Sequence, residues 1–171
     1  KYAKTKNYSA LITLDADLSH QPEEIPKFLL KLKKNNYDFI IGSRYIKGGK
    51  SDYSGFRDLV SKLGNKLCRI ILDMPFNEFT TSYRLYNRKC IKTLNQLSFE
   101  SNDYSSLIEL FFYIYYSGLK CGEVPIHFKD RFGGESKIPK LQIIYGFIKL
   151  IQLFFKKKVI KNKNKKKWVL N

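Results

Sequence analysis

The stretch ALITLDADLSHQPEEIPKFLLKLKKNNYDFIIG, residues 10–42, decides the fold. Ala10 to Leu14 form an apolar run that stops abruptly at Asp15, the pattern of a buried parallel strand. A helix follows. Pro22 suits its first turn, Glu23 and Glu24 complement the positive end of its dipole, and Lys31, Lys33 and Lys34 complement the negative end. Ile25, Phe28, Leu29 and Leu32 repeat at helical spacing and give it one apolar face. Asn35 and Asn36 end it, and Asp38 to Gly42 supply a second strand. Strand, helix and strand in this order make a βαβ unit and predict an α/β fold with a mostly parallel sheet and flanking helices.

Working outward, a Gly-rich polar loop from Lys47 to Gly55 leads into a helix over Phe56 to Leu72. Phe56, Val60, Leu63 and Leu67 keep helical spacing there, and Arg57 and Ser61, four apart, share a neighbouring stripe. A third helix is predicted over Asp103 to Ser117, with Gly118 as its C-cap, and a strand over Val124 to Phe128. The last element, Leu141 to Phe155, is helical, apolar over most of its circumference, and runs directly into a lysine-rich tail. Two parts are expected: a globular part over 1–140, and an amphipathic helix with a basic tail over 141–171.

The net charge of +17 calls for a polyanionic partner such as nucleic acid, anionic lipid or a phosphorylated substrate. Eight lysines between Lys156 and Lys167 supply about half of it. Lysine outnumbers arginine 26 to 6, so each arginine is an unusual choice, and arginine offers phosphate a planar fork that lysine lacks. Cys68, Cys90 and Cys121 are odd in number and widely spaced, which disfavours a zinc site or a disulfide framework and reads as reduced cytosolic thiols. Gln142, Lys149 and Gln152 interrupt the longest apolar segment, so no transmembrane span is expected. Nucleic acid is a poor fit as partner. The 26 aromatics concentrate in apolar runs such as Phe111-Phe112-Tyr113, not among basic residues as stacking platforms.

Three constellations carry chemistry. Asp15-Ala16-Asp17 sits where the first strand ends, the place at which an open α/β sheet binds ligands. Two carboxylates so close repel unless a cation lies between them, and hard oxygen ligands suit Mg²⁺ or Mn²⁺, which would bridge to a diphosphate. The plainer reading has one aspartate capping the helix and the other solvated; the strand and the proline-started helix around the pair favour the site. Gly42-Ser43-Arg44-Tyr45 ends the second strand, so Arg44 would face the same crevice, or else form a surface ion pair. Arg131-Phe-Gly-Gly-Glu-Ser-Lys137 is a Gly-containing loop framed by two cations, suited to an anion or simply a basic turn.

The order DADLSH, GSRY, Arg57 with Ser61, TSYRLY, EVPIHF and DRFGGESK resembles the family-2 glycosyltransferases of the dolichyl-phosphate (polyprenyl-phosphate) mannosyltransferase group, from about Tyr8 to Phe155. That resemblance implies a Rossmann-like nucleotide-diphospho-sugar transferase fold, GDP-mannose as donor, a divalent metal, a polyprenyl-phosphate lipid as acceptor, and a peripheral place on the cytoplasmic face of a membrane, with a separate membrane subunit as a possible partner. By position Asp15, Asp17 and Ser19 correspond to metal and donor ligands, and Arg44, Arg57 and Ser61 to the holders of the acceptor phosphate. Arg131 and Lys137 correspond to the donor-diphosphate clamp, and Asp17 and Arg44 are expected to matter most for catalysis. Glu109 is a candidate supporting carboxylate, with a helix-surface acid as the commoner reading.

Two departures stand out. The group usually has Asp before a T-S-G-F-R segment, and here Glu78-Phe79-Thr80-Thr81-Ser82-Tyr83-Arg84 replaces it, with Thr81 and Ser82 where glycine is common. The group's N-terminal PTYNE-like and DDGS-like segments, which hold the nucleoside, do not occur in this sequence. The chain is therefore expected to be N-terminally truncated, with Ala10 to Leu14 at a sheet edge. UDP-glucose or UDP-N-acetylhexosamine as donor, or an inactive membrane-binding fragment, are the rival expectations.

Overall fold

The computed structural model describes residues 2–97, 105–130 and 140–169; for Lys4, residues 140–143 and 161–169 it describes the backbone alone. In chain order the elements are α1 (Tyr2–Thr5), β1 (Ala10–Thr13), a 3-10 turn (Pro22–Glu24), α2 (Ile25–Asn35), β2 (Phe39–Ser43), β3 (Lys50–Ser51) and α3 (Gly55–Leu72). Then come β4 (Arg84–Asn87), α4 (Arg88–Leu94), α5 (Ser105–Tyr116), β5 (Cys121–Pro125), β6 (His127–Phe128) and α6 (Lys140–Val169).

The main sheet has the order β1-β4-β2-β5, and β3 pairs with β6 in a second, two-stranded sheet. β4 is antiparallel to both β1 and β2, while β5 is parallel to β2. Hence β1, β2 and β5 point the same way, as the βαβ pattern requires, and β4 is inserted against them. β1 lies at the sheet edge, with Leu11 and Leu14 more than a third exposed, so it is not the buried strand its composition suggests. α2 ends where Asn36 takes a left-handed conformation (φ 50°), which asparagine tolerates better than most side chains.

Alternation along β2 sends its side chains to two cores. Phe39 and Ile41 join Leu72, Phe79, Phe111, Phe112, Leu150 and Leu153, whereas Ile40 joins Phe28, Tyr83, Leu85, Val124 and Ile126 under α2. α6 packs on α3 and α5 and starts at Lys140, so Leu150 and Leu153 belong to the main core. Glu109 of α5 is no helix-surface acid: it is fully buried and lies 3.7 Å from Lys149 of α6. The two charges that interrupt apolar helices thus answer one another.

The expected strand Val124 to Phe128 is divided. Pro125 has no N–H to continue the ladder, and at Ile126 the chain changes sheets: its N–H donates to Ser43 O (3.1 Å) and its carbonyl accepts from Lys50 N (2.9 Å). Gly49 is needed for the close approach beside it, since a Cβ there would stand 2.5 Å from Ser43 O and 2.8 Å from the Arg44 carbonyl.

The expected apolar face of α3 points mostly outward. Cys68, Leu72 and Asn65 are buried, while Phe56 is 78% exposed and Leu59, Leu63, Leu67 and Ile70 are exposed with it. Helical spacing identified a stripe correctly but could not say which side the core would occupy.

At the start of β2, buried Asp38 accepts from Lys120 N (2.9 Å), Asn87 Nδ2 (2.9 Å) and Lys89 Nζ (3.2 Å). Burial alone would raise its pKa; these donors outweigh it and hold the carboxyl below the usual range. A depressed folded-state pKa adds stability that is present above the unfolded value, near 4, and lost as pH falls through the folded one. Asp38→Asn is expected to cost about 1–3 kcal/mol at pH 7. The gap from wild type in urea melts should close as the pH is taken below that range.

Candidate functional site

The site is built at the carboxyl ends of β1 and β2. Asp15 and Asp17 follow β1 and are both half-buried, within solvent reach. The Ser82 hydroxyl donates to Asp15 Oδ1, and Ser19 donates to Asp17 Oδ1 through both its N–H and its hydroxyl, closing a turn in which Leu18 takes φ 63°. Ser19 itself is fully buried with its hydroxyl on Asp17, beside the carboxylate pair with which it was expected to share a metal.

His20 fixes the other end of the turn. Its Nδ1 accepts the Asp15 N–H (3.0 Å), so Nε2 carries the proton and donates to Thr81 Oγ1 (3.0 Å). The ring is buried between Tyr83 and Phe128, with centroids at 5.0 and 5.1 Å. Burial lowers its pKa more than Asp15 raises it, and the imidazole stays neutral. Thr13 Oγ1 donates to Ser82 O (2.6 Å), so the aspartate turn is tied to residues 81–82 at three points.

Phe128 links this half to Arg44, whose guanidinium carbon lies 5.1 Å from the same ring and 5.0 Å from that of Tyr45. Arg44 is buried and forked onto Glu78, Nε to Oε2 at 2.7 Å and Nη2 to Oε1 at 2.9 Å; it is not a surface ion pair. Arg57 stacks on Tyr53, 3.5 Å from the ring centroid, and reaches Asp130 at 3.8 Å. The Tyr45 hydroxyl donates to Ser61 Oγ (2.7 Å). Arg44, Arg57 and Ser61 are thus gathered around the rings of Tyr45 and Tyr53, with Arg44 also 5.9 Å from Tyr53. Arg131 and Lys137 lie outside the described residues. Arg69 and Arg88 serve the surface, donating to Asn77 Oδ1 and Asn7 O.

Sequence reasoning missed the scaffold beneath these side chains. Arg84 is completely buried and donates to three main-chain carbonyls, of Thr81 (2.7 Å), Phe79 (2.8 Å) and Leu107 (2.9 Å). Asn65 Oδ1 accepts from Phe79 N (2.7 Å), and Glu123 accepts from Asn77 N and Glu78 N (3.0 and 3.1 Å). The available signal was the run of polar residues inside apolar surroundings, E-F-T-T-S-Y-R, and the histidine directly after DADLS.

No group of three or more His, Cys, Asp or Glu able to hold a metal occurs among the described residues. The carboxylate pair still fits Mg²⁺ or Mn²⁺, because such ions are commonly held by one or two carboxylates with water and substrate phosphates completing the shell. Thiol chemistry does not fit. Burial pushes Cys68 and Cys90 up to about 12 and raises Cys121 as well.

The family described as glycosyl transferase family 2 matches residues 1–94. An undecaprenyl-phosphate mannosyltransferase of Micrococcus luteus is 32% identical over 139 residues, 81% of this chain and 56% of the relative. A polyprenol monophosphomannose synthase of Mycolicibacterium smegmatis is 34% identical over 148 residues, 86% of this chain and again 56% of the relative. The chain thus spans about half the length of these relatives. With a family match over more than half its residues and relatives above 30% identity along most of its length, the chain belongs to glycosyl transferase family 2.

Proposed function

We infer that this chain belongs to an enzyme that moves mannose from a nucleotide diphosphate, GDP-mannose, to a polyprenyl phosphate at a membrane surface. The observation that carries the reading is the pairing of two ligand-ready groups across one packed contact: the Asp15–Asp17 turn on the His20 side of Phe128, and the Arg44, Arg57 and Ser61 cluster on the other. The mannosyl and polyprenyl-phosphate parts of the relatives' names supply the substrates.

A phosphate monoester is already anionic at neutral pH, so it needs orientation more than a base. Arg57 and Arg44 supply that orientation, with the Ser61 hydroxyl beside them. A phosphate oxygen then attacks the anomeric carbon as the bond to the donor diphosphate breaks, with inversion. His20 takes no proton in this scheme, since both its nitrogens are engaged in holding the turn. A divalent ion held by Asp15 and Asp17 would neutralise charge on the departing diphosphate. Ser19 and Ser82 keep the two carboxylates aimed outward.

The exposed apolar residues fit a lipid surface. Phe56, Leu59, Leu63, Leu67 and Ile70 on α3 and Ile144, Phe147, Ile148, Ile151 and Phe155 on α6 are exposed on two helices that pack together. No helix among the described residues is long and apolar enough to cross a bilayer. α6 does not end at Phe155 as expected but runs on to Val169, so Lys156 to Lys167 belong to the helix, and they add roughly 1 kcal/mol per lysine near an anionic leaflet.

In the full-length protein, Asp17→Asn is expected to lower transfer about 100-fold or more, and excess EDTA to do the same to wild type; undiminished turnover in EDTA would remove the metal from the scheme. Arg57→Ala should raise the KM for polyprenyl phosphate about tenfold while the donor KM stays put. Liposome flotation should show binding that strengthens with anionic lipid, weakens with salt, and falls when Phe56 and Phe147 are both changed to Ser. Equal binding to neutral and anionic vesicles would rule out the electrostatic part.

A further inference from the structure

The turn that carries Glu78 is heavily built. Glu78 is fully buried, and its carboxylate accepts four hydrogen bonds: two from Arg44, one from Thr80 N (3.0 Å) and one from Thr80 Oγ1 (2.8 Å). The turn around it is pinned from separate elements, by Glu123 of β5 at the N–H groups of Asn77 and Glu78, by Asn65 of α3 at Phe79 N, and by Arg84 of β4 at the carbonyls of Phe79 and Thr81. Thr80 Oγ1 also accepts from Arg44 Nη2 (3.0 Å).

Stability does not account for this outlay of polar groups. Desolvating a carboxylate and a guanidinium costs several kcal/mol per ion, and apolar replacements of similar volume are often as stable or more so. What the pair does fix is direction. A guanidinium held at Nε and Nη2 cannot rotate in its plane, and the rings of Tyr45 and Phe128 pack around it. Its third nitrogen, Nη1, makes no hydrogen bond to any described residue, and the guanidinium carbon lies 5.9 Å from the Tyr53 ring that Arg57 covers.

We propose that Glu78 is a positioning residue of the acceptor site, orienting Arg44 so that Nη1 is presented to the phosphate of the lipid acceptor. The proposal rests on the acceptor-site reading of Arg44, Arg57 and Ser61. Glu78 touches no substrate itself and acts through the guanidinium. A glutamine in its place offers one acceptor oxygen and turns an N–H₂ toward an N–H of the arginine, so the fork opens. An aspartate keeps the charge but is one methylene too short to hold both nitrogens.

The test uses the full-length protein, with acceptor and donor KM and thermal melts measured for wild type, Glu78→Gln, Glu78→Asp, Arg44→Lys, Arg57→Ala and the double variant Arg44→Lys with Glu78→Gln. Glu78→Gln is expected to raise the KM for polyprenyl phosphate roughly tenfold with the donor KM unchanged, and Glu78→Asp to do so by less. In the Arg44→Lys background, Glu78→Gln should add little, since the group it orients is gone. A purely structural carboxylate would instead lower the melting temperature and impair both substrates together, additively with Arg44→Lys, and that pattern overturns the proposal. So does a fall in acceptor KM, which would make Glu78 a competitor that phosphate must displace from Arg44. Should Glu78→Gln fail to fold, Glu78→Asp gives the same discrimination. If Arg57→Ala leaves acceptor KM untouched, the acceptor-site reading itself fails; if Arg57→Ala raises it and neither Glu78 variant does, only the role of Glu78 fails.

Discussion

A neutral imidazole holds the two halves of the site in register. Because burial keeps His20 uncharged, Nδ1 retains the lone pair that accepts the Asp15 N–H, and Nε2 keeps the proton it gives to Thr81. A charged ring would have two donors and nothing to offer that amide. The same ring packs on Phe128, which in turn lies beside Arg44. Remove this one group and the aspartate turn loses one of its three ties to residues 81–82, while the aromatic wall between the two candidate sites loses a member.

Around that pin the polypeptide uses main-chain capture more than side-chain pairing. Arg84 holds carbonyls, Asn65 and Glu123 hold N–H groups, and Lys129 N reaches the Ser19 carbonyl at 3.0 Å. These main-chain groups are met in this way because an unmet donor or acceptor in such a place costs about 1–3 kcal/mol. The outcome is a loop, residues 77–83, with little regular structure and yet little freedom. Irregular backbone of this kind is well suited to a site, since its groups can be aimed individually.

Much of this was legible in the sequence, for identifiable reasons. The βαβ opening was readable because Ala10 to Gly42 keeps strand and helix patterns clean, and the place of Asp15-Ala16-Asp17 just after a strand was readable because the apolar run stops there. β4 was not. Its four residues, Arg84–Asn87, begin with a charge that composition places on a surface and the fold places at the centre of the sheet. Glu109 misled in the same way, since periodicity cannot show that Lys149 waits on another helix to meet it. The α3 stripe shows the opposite failure: its spacing was right and its destination was wrong, because a second apolar face is invisible until α6 is placed beside it. Arg131 and Lys137 were sequence expectations that fall beyond the described residues.

The turn before β4 also bears on how such a chain can change over generations. Within five residues, Glu78 and Thr80 serve Arg44, while Thr81 and Ser82 serve His20 and Asp15. Neighbours on one short backbone share every displacement, so a substitution at Thr81 moves Thr80 too, and effects there should be strongly non-additive. Drift at one position would be tolerated only in the presence of particular residues at the others. The segment is thus expected to diverge as a block, by concerted replacements, while the exposed helices around it accumulate changes singly.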